Sequence, residues 1–167
     1  MDAHAQAWID QEDARVARVV REYGWIVRYV GEDSCSAPSC FCATSPGPPF
    51  AYTVGLFGMA HPELLIFDVP PRTAVGVLNS LATGVRTGDA MIPGRLYSFD
   101  RRVRRVIPEE VPNPGEIVLD ANRYYRMPDE HSVPVLQLSY DDATGMFPSE
   151  DGYIGTEVQP RPGTFKA

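Results

Sequence analysis

The chain has 167 residues, 44% hydrophobic and 22% charged, with a formal net charge of -7 and a pI near 4.9. That length and balance suit one globular domain with its own core and oppose a disordered chain, while the acidity opposes attraction to nucleic acid or anionic membrane. With neither a basic, apolar leader nor an apolar run of membrane-spanning length, the expected location is cytoplasmic.

Residues 5–22 have helical periodicity, with Trp8, Ile9, Val16, Val19, Val20 and Tyr23 near one face and Glu12 and Arg15 on the polar side. Gly24 ends that helix, and the β-branched and aromatic run Trp25 to Val30 reads as a strand. From 31 to 49 the composition turns to Ser, Pro, Gly and Cys, the signature of a long loop within the domain. The run Phe50 to Phe57 alternates. Phe50, Tyr52, Val54 and Leu56 share one face, and Ala51, Thr53 and Gly55 leave the other small, so that something can approach it closely. Glu63 to Val69 is apolar on both faces, as in a central strand, and these three runs predict a meander.

A second helix is expected from Pro70 and Pro71, with Ala74, Val77, Leu78, Leu81 and Val85 forming its stripe. One or two strands follow through "RLYSFDRRVRRVI", then a turn at "PNPG", a short helix in "EIVLDANRYYR" and a strand over Val133 to Tyr140. The Gly- and Pro-rich stretch 146–167 reads as a wrapping tail. Strands in a run, followed by alternating helix and strand, predict a single α+β domain over 1–167, largely antiparallel, with the N-terminal and central helices packed on the sheet. There is no Gly-rich phosphate loop and no "GxSxG" elbow.

Several constellations have the residue types that chemistry requires. His61 and Glu63 in "HPE" set an imidazole and a carboxylate one residue apart, similar to the pair in zinc deaminases, in which histidine ligates metal and glutamate moves the proton. The order differs here, because "PSCFC" lies upstream, and the simpler reading is a hairpin whose polar ends bond exposed backbone. Cys35, Cys40 and Cys42 are three soft ligands that, with His61, would make a zinc set; Cu(I) binding, a redox disulfide and free thiols are the alternatives. Arg101, Arg102, Arg104 and Arg105 in "RRVRR" would grip an anion or protect an edge strand. Asp141 and Asp142 are a cation-binding pair or a tight turn, and "NRYYR" combines aromatic and cationic residues suited to a planar ligand or to core packing.

In this order, "GWIVRYV", "PPFAYTVGL", "HPELLIFDVP", "VLNSLA", "VLQLSY", "DDATGMFP" and "DGYIG" resemble a bacterial family common in actinobacteria, the domain of unknown function family forty-two sixty-two. The resemblance runs from about Val16 to Gln159 and singles out Tyr52, Thr53, Gly55, His61, Pro62, Glu63, Asn79, Gln137, Asp141, Gly145, Pro148 and Gln159. It implies no settled reaction. The family's "FPW" is altered here to "FPSE", and the cysteines stand in an enlarged loop, so a metal role would be particular to this branch.

Two functional expectations result. The first is a binding or interaction module, similar to suppressor-of-fused-type domains and bacterial immunity proteins. Tyr52, Thr53, Gly55, His61, Glu63, Asn79 and Gln137 would take a small ligand or protein partner, with Asp141 on the rim. The second is a metal-dependent hydrolase in which Cys35, Cys40, Cys42 and His61 hold zinc, Glu63 is the general base, and His61, Glu63 and Asp141 are the catalytic candidates; a redox or Cu(I)-handling thiol loop is the further alternative.

Overall fold

The computed structural model describes residues 3–31, 47–98 and 105–167. The chain begins with helix α1 (Ala3–Tyr23), strand β1 (Ile26–Val30) and strand β2 (Phe50–Val54). A 3-10 turn (Leu56–Met59) leads into strand β3 (Glu63–Phe67) and helix α2 (Pro71–Arg86). Strands β4 (Tyr97–Ser98) and β5 (Arg105–Glu110), a second 3-10 turn (Pro114–Glu116), helix α3 (Leu119–Tyr125) and strand β6 (Val135–Tyr140) complete the element order.

The six strands among the described residues form one sheet in the order β1-β2-β3-β6-β5-β4. β1, β2 and β3 pair antiparallel as the expected meander, and β6 returns parallel to β3 before pairing antiparallel with β5. The fold is therefore α+β and mostly antiparallel. The parallel pair needs a long crossover, which α2, β4, β5 and α3 supply. None of the described helices is long and apolar enough to cross a membrane.

Period-two alternation divides the core between the two faces of the sheet. Ala51, Leu64, Ile66, Leu136 and Leu138 pack with Ala74, Leu78 and Ala82 of α2. On the other face Phe50, Tyr52, Val54, Leu65, Phe67 and Val135 pack with Val16 and Val20 of α1 and with Ala121 of α3. On the small face of β2, Ala51 is thus covered by α2. Pro71 occupies the first position of α2, where its missing N–H costs nothing and its ring presets φ.

Two sequence expectations change. Leu56 does not join Phe50, Tyr52 and Val54 but lies in the cluster under α2, because Gly55 at φ 135° breaks the strand alternation just before it. Tyr23, expected on the apolar stripe of α1, is 58% exposed at the end of that helix.

α1 and α3 are joined across β1 by an ion network. Arg28 donates from Nε to Asp120 and from a terminal nitrogen to Glu12 at 3.0 Å, while Arg123 bonds Asp120 and reaches Asp13 at 3.1 Å. Arg15 and then Arg28 hold the Glu12 carboxyl below its usual range. Arg28 and Asp120 are mostly covered, at 18% and 13% side-chain exposure, so removing one partner strands the other. Arg28→Met is expected to lower unfolding free energy by about 1–3 kcal/mol in urea denaturation, the usual cost of stranding a covered polar partner. An unchanged midpoint would show that the network is energetically idle.

Candidate functional site

The turn from β2 to β3 places the residues of "YTVGLFGMAHPE" around one buried carboxylate. Glu63 is fully buried at the start of β3. Its Oε2 accepts from the Thr53 hydroxyl at 2.6 Å and the Leu56 N–H at 3.2 Å, and its Oε1 accepts from the N–H groups of Gly55 at 2.8 Å and Phe57 at 3.1 Å. The Thr53 oxygen itself accepts the Leu64 N–H at 2.9 Å, which leaves its proton for Glu63. Burial pushes the Glu63 carboxyl above its usual range, and the Thr53 hydroxyl and the three amides pull toward the anion. Successive N–H groups converging on one carboxylate make an anion nest filled from within the chain.

Gly55 is required by this geometry. At φ 135° it adopts backbone that side-chain-bearing residues avoid, and an added Cβ would lie 2.3 Å from the Gly24 carbonyl oxygen and 2.7 Å from Trp25 Cα. The turn is therefore pressed against the junction of α1 and β1.

His61, 5% exposed, is used differently. Its Nδ1 donates to the Pro62 carbonyl at 2.7 Å and its Nε2 accepts the Met91 N–H at 3.0 Å, an arrangement that requires the neutral Nδ1–H tautomer. The imidazole thus bolts the start of β3 to the segment after α2, while Glu63 faces the turn at 55–57. For Nε2 to ligate zinc, His61 would have to release Met91. Among the described residues no group of three or more His, Cys, Asp or Glu side chains is placed to hold a metal ion. Cys35, Cys40 and Cys42 lie outside the described residues, as do Arg101, Arg102 and Arg104.

Asp141 is not brought to this turn. Glu63 pairs with Val135 at the beginning of β6, whereas Asp141 follows the last residue of that strand, which at about 3.3 Å per residue is about 20 Å away. There Asp141 accepts from Arg105 Nε at 2.7 Å and from the Arg105 N–H at 3.1 Å, and Arg105 also donates to the Gly145 carbonyl at 2.8 Å. Asp142 shapes the turn, accepting from the Thr144 N–H at 2.8 Å, the Thr144 hydroxyl at 2.7 Å and the Met146 N–H at 3.0 Å.

The remaining expected ligand residues have defined places. Tyr52 is buried, its hydroxyl accepting the Asp120 N–H at 3.3 Å, and burial followed by the Asp120 charge holds that hydroxyl far above its usual range. Gln137 is buried and donates to the Pro160 carbonyl at 2.6 Å. In "NRYYR", Tyr125 accepts the Gly58 N–H at 2.9 Å and sets its ring edge-on to Phe57 at 5.0 Å; burial pushes its hydroxyl up to about 12. Asn79 alone of the seven expected ligand residues is exposed. Its side-chain carbonyl accepts Trp25 Nε1–H at 2.9 Å, and the Arg86 guanidinium stands 5.0 Å over the Trp25 ring.

This Asn79-Trp25-Arg86 arrangement lies on a groove of about 510 Å³ between α1, β1 and α2, which sequence reading did not find. Its signal was the exposed apolar residues Tyr23 and Val75 flanking Trp25, spread over three elements.

Two predictions test these roles. Glu63→Gln places an amide N–H2 against backbone donors and is expected to cost about 1–3 kcal/mol, read by chemical denaturation; wild-type stability would contradict the nest. The Thr144 hydroxyl, then the Met146 amide, hold the Asp142 carboxyl below its usual range. A depressed folded carboxyl adds stability above its unfolded value, about 3.9, and loses it as pH falls through the folded value. Protection of the Thr144 and Met146 amides, corrected for intrinsic exchange, is therefore expected to hold from neutral pH to about 4 and to decline below it. Protection unchanged throughout would contradict the assignment.

No curated protein and no solved structure matches the chain. The family described as "Domain of unknown function (DUF4262)" matches residues 19–154. That match spans most of the fold, from the end of α1 through β6 to the turns beyond it, and the chain belongs to this family.

Proposed function

We propose that the chain is a protein-binding module that receives apolar side chains of a partner segment in the groove between α1, β1 and α2. The observation that carries this reading is Asn79. Its expected companions Tyr52, Thr53, Gly55, His61, Glu63 and Gln137 are buried, whereas Asn79 opens onto the groove.

The groove combines apolar walls with fixed polar groups, the composition of a recognition site. Val19, Tyr23, Trp25 and Val75 supply the walls. Trp25 fixes the Asn79 carbonyl, so the amide N–H2 of Asn79, which makes no hydrogen bond among the described residues, is oriented in advance for a partner carbonyl. Arg86, held over the indole, offers a cation beside it.

The reading is tested by selecting displayed peptides against the immobilised chain and measuring the winners on the wild type and on Val75→Arg. Val75 is an exposed residue of α2, so the fold should tolerate the change. Peptides with spaced apolar residues are expected, binding Val75→Arg at least about tenfold more weakly, a loss of about 1.4 kcal/mol. Equal affinity for both proteins would move the binding surface elsewhere.

A further inference from the structure

Residues 155–167 form no helix or strand and follow the stretch that the family match covers, yet separate anchors hold them on the fold. The Gln159 side chain accepts the Tyr140 N–H at 2.7 Å and donates to the Tyr140 carbonyl at 2.9 Å, the pair of bonds that a neighbouring strand's peptide group would make. Gln137 donates to the Pro160 carbonyl at 2.6 Å, and Asn113 donates to the Phe165 carbonyl at 2.8 Å. The Phe165 ring sits edge-on to Phe50 at 5.4 Å and Phe67 at 4.9 Å. Gly47 makes room for it, since a Cβ there would lie 2.7 Å from the ring. Side-chain amides reading main-chain carbonyls, with one aromatic in an aromatic pocket, is how a domain holds an extended peptide.

Charge follows the same division. In a chain of net charge -7, "QPRPGTFKA" carries Arg161 and Lys166 and no acid. Lys166 pairs with Glu116 at 2.7 Å. Arg161 and Pro162 form one wall of a cleft of about 710 Å³ whose other walls include Glu109, Glu110 and Ser149. Inside the fold beside that cleft, Glu109 Oε2 is buried without a hydrogen-bond partner. A carboxylate on a cleft wall that has one oxygen without a partner is a place for an incoming N–H donor.

We propose that this sheet face is a docking groove for a basic, extended segment of a partner protein, and that residues 159–167 occupy it in cis until the partner displaces them. The partner's segment places an aromatic ring between Phe50 and Phe67, bonds Gln137 through a main-chain carbonyl, and sets a Lys or Arg side chain in the cleft at Glu109. Tethering gives the cis segment an effective concentration of about millimolar, so the groove is closed to weak competitors. A segment held by a few anchors without its own ladder belongs to the low-stability end of the fold and opens before the strands do.

The test uses the full chain with a fluorescent peptide of residues 156–167 as the probe. Phe165→Ala, which removes the cis ring, is expected to bind the peptide at least about tenfold more tightly than the wild type does. The same peptide with Arg161→Gln and Lys166→Gln is expected to bind at least about tenfold more weakly. A folded Phe165→Ala chain that ignores the peptide, or takes the neutral version equally well, overturns the proposal. A concentration-dependent dimer of the wild type in place of peptide capture overturns it in favour of exchange between copies. Should Phe165→Ala fail to fold, hydrogen exchange on the wild type decides: amides of 159–167 opening well before those of β6 support the groove, and equal protection contradicts it.

Discussion

The Glu63 carboxylate lies fully buried beneath the turn from β2 to β3. A charge without solvent is costly unless donors replace the water, and four donors do so here from a stretch of five residues. Meeting that demand fixes the backbone from Thr53 to Phe57. The fixed turn ends β2, places Leu56 under α2 and brings the Gly58 amide to the Tyr125 hydroxyl on α3. It also presses Gly55 against Gly24 and Trp25, which sets the indole that in turn orients Asn79. Glu63 thus links the inside of the fold to the groove on its surface without itself facing that groove.

Much of this architecture was legible in the residue pattern. The helical stripe beginning at Pro71, the two-sided apolar run from Glu63 and the meander of the first three strands follow from periodicity alone, because burial imposes periodicity directly. The position of Leu56 was not legible, since alternation cannot register that Gly55 takes a positive φ. Nor was the separation of Glu63 from Asp141, which depends on β6 lying parallel to β3, a long-range pairing with no local signal. "HPE" showed the right residue types, but their partners, the amides of residues 55–57 and of Met91, are backbone groups that sequence cannot display as a motif. Asn79 could be named from resemblance; that it alone among its companions reaches solvent required the packing of α2 against β1 and β2.

The division of labour between polar residues follows from burial. His61, Glu63 and Gln137 lie inside and spend their hydrogen bonds on holding chain segments that lack a ladder partner. Arg28, Asp120 and Arg123 do the same at the rim between helices, and Arg105 with Asp141 at the far end of β6. Such residues fix shape, and shape is what a recognition surface needs, because rigid walls lose little entropy when a partner docks. The Trp25 groove and the face beneath residues 159–167 share no lining residues, so one can change without the other.

Thermal unfolding of Glu63→Ala with added formate tests directly whether this carboxylate holds the turn. Removing the carboxylate leaves the Gly55, Leu56 and Phe57 amides and the Thr53 hydroxyl facing a small vacant space of formate size. The expected result is a destabilised chain whose melting temperature rises saturably with formate and not with chloride at equal ionic strength, while the wild type stays indifferent. A Glu63→Ala chain as stable as the wild type, or one that formate does not restore, would contradict the account.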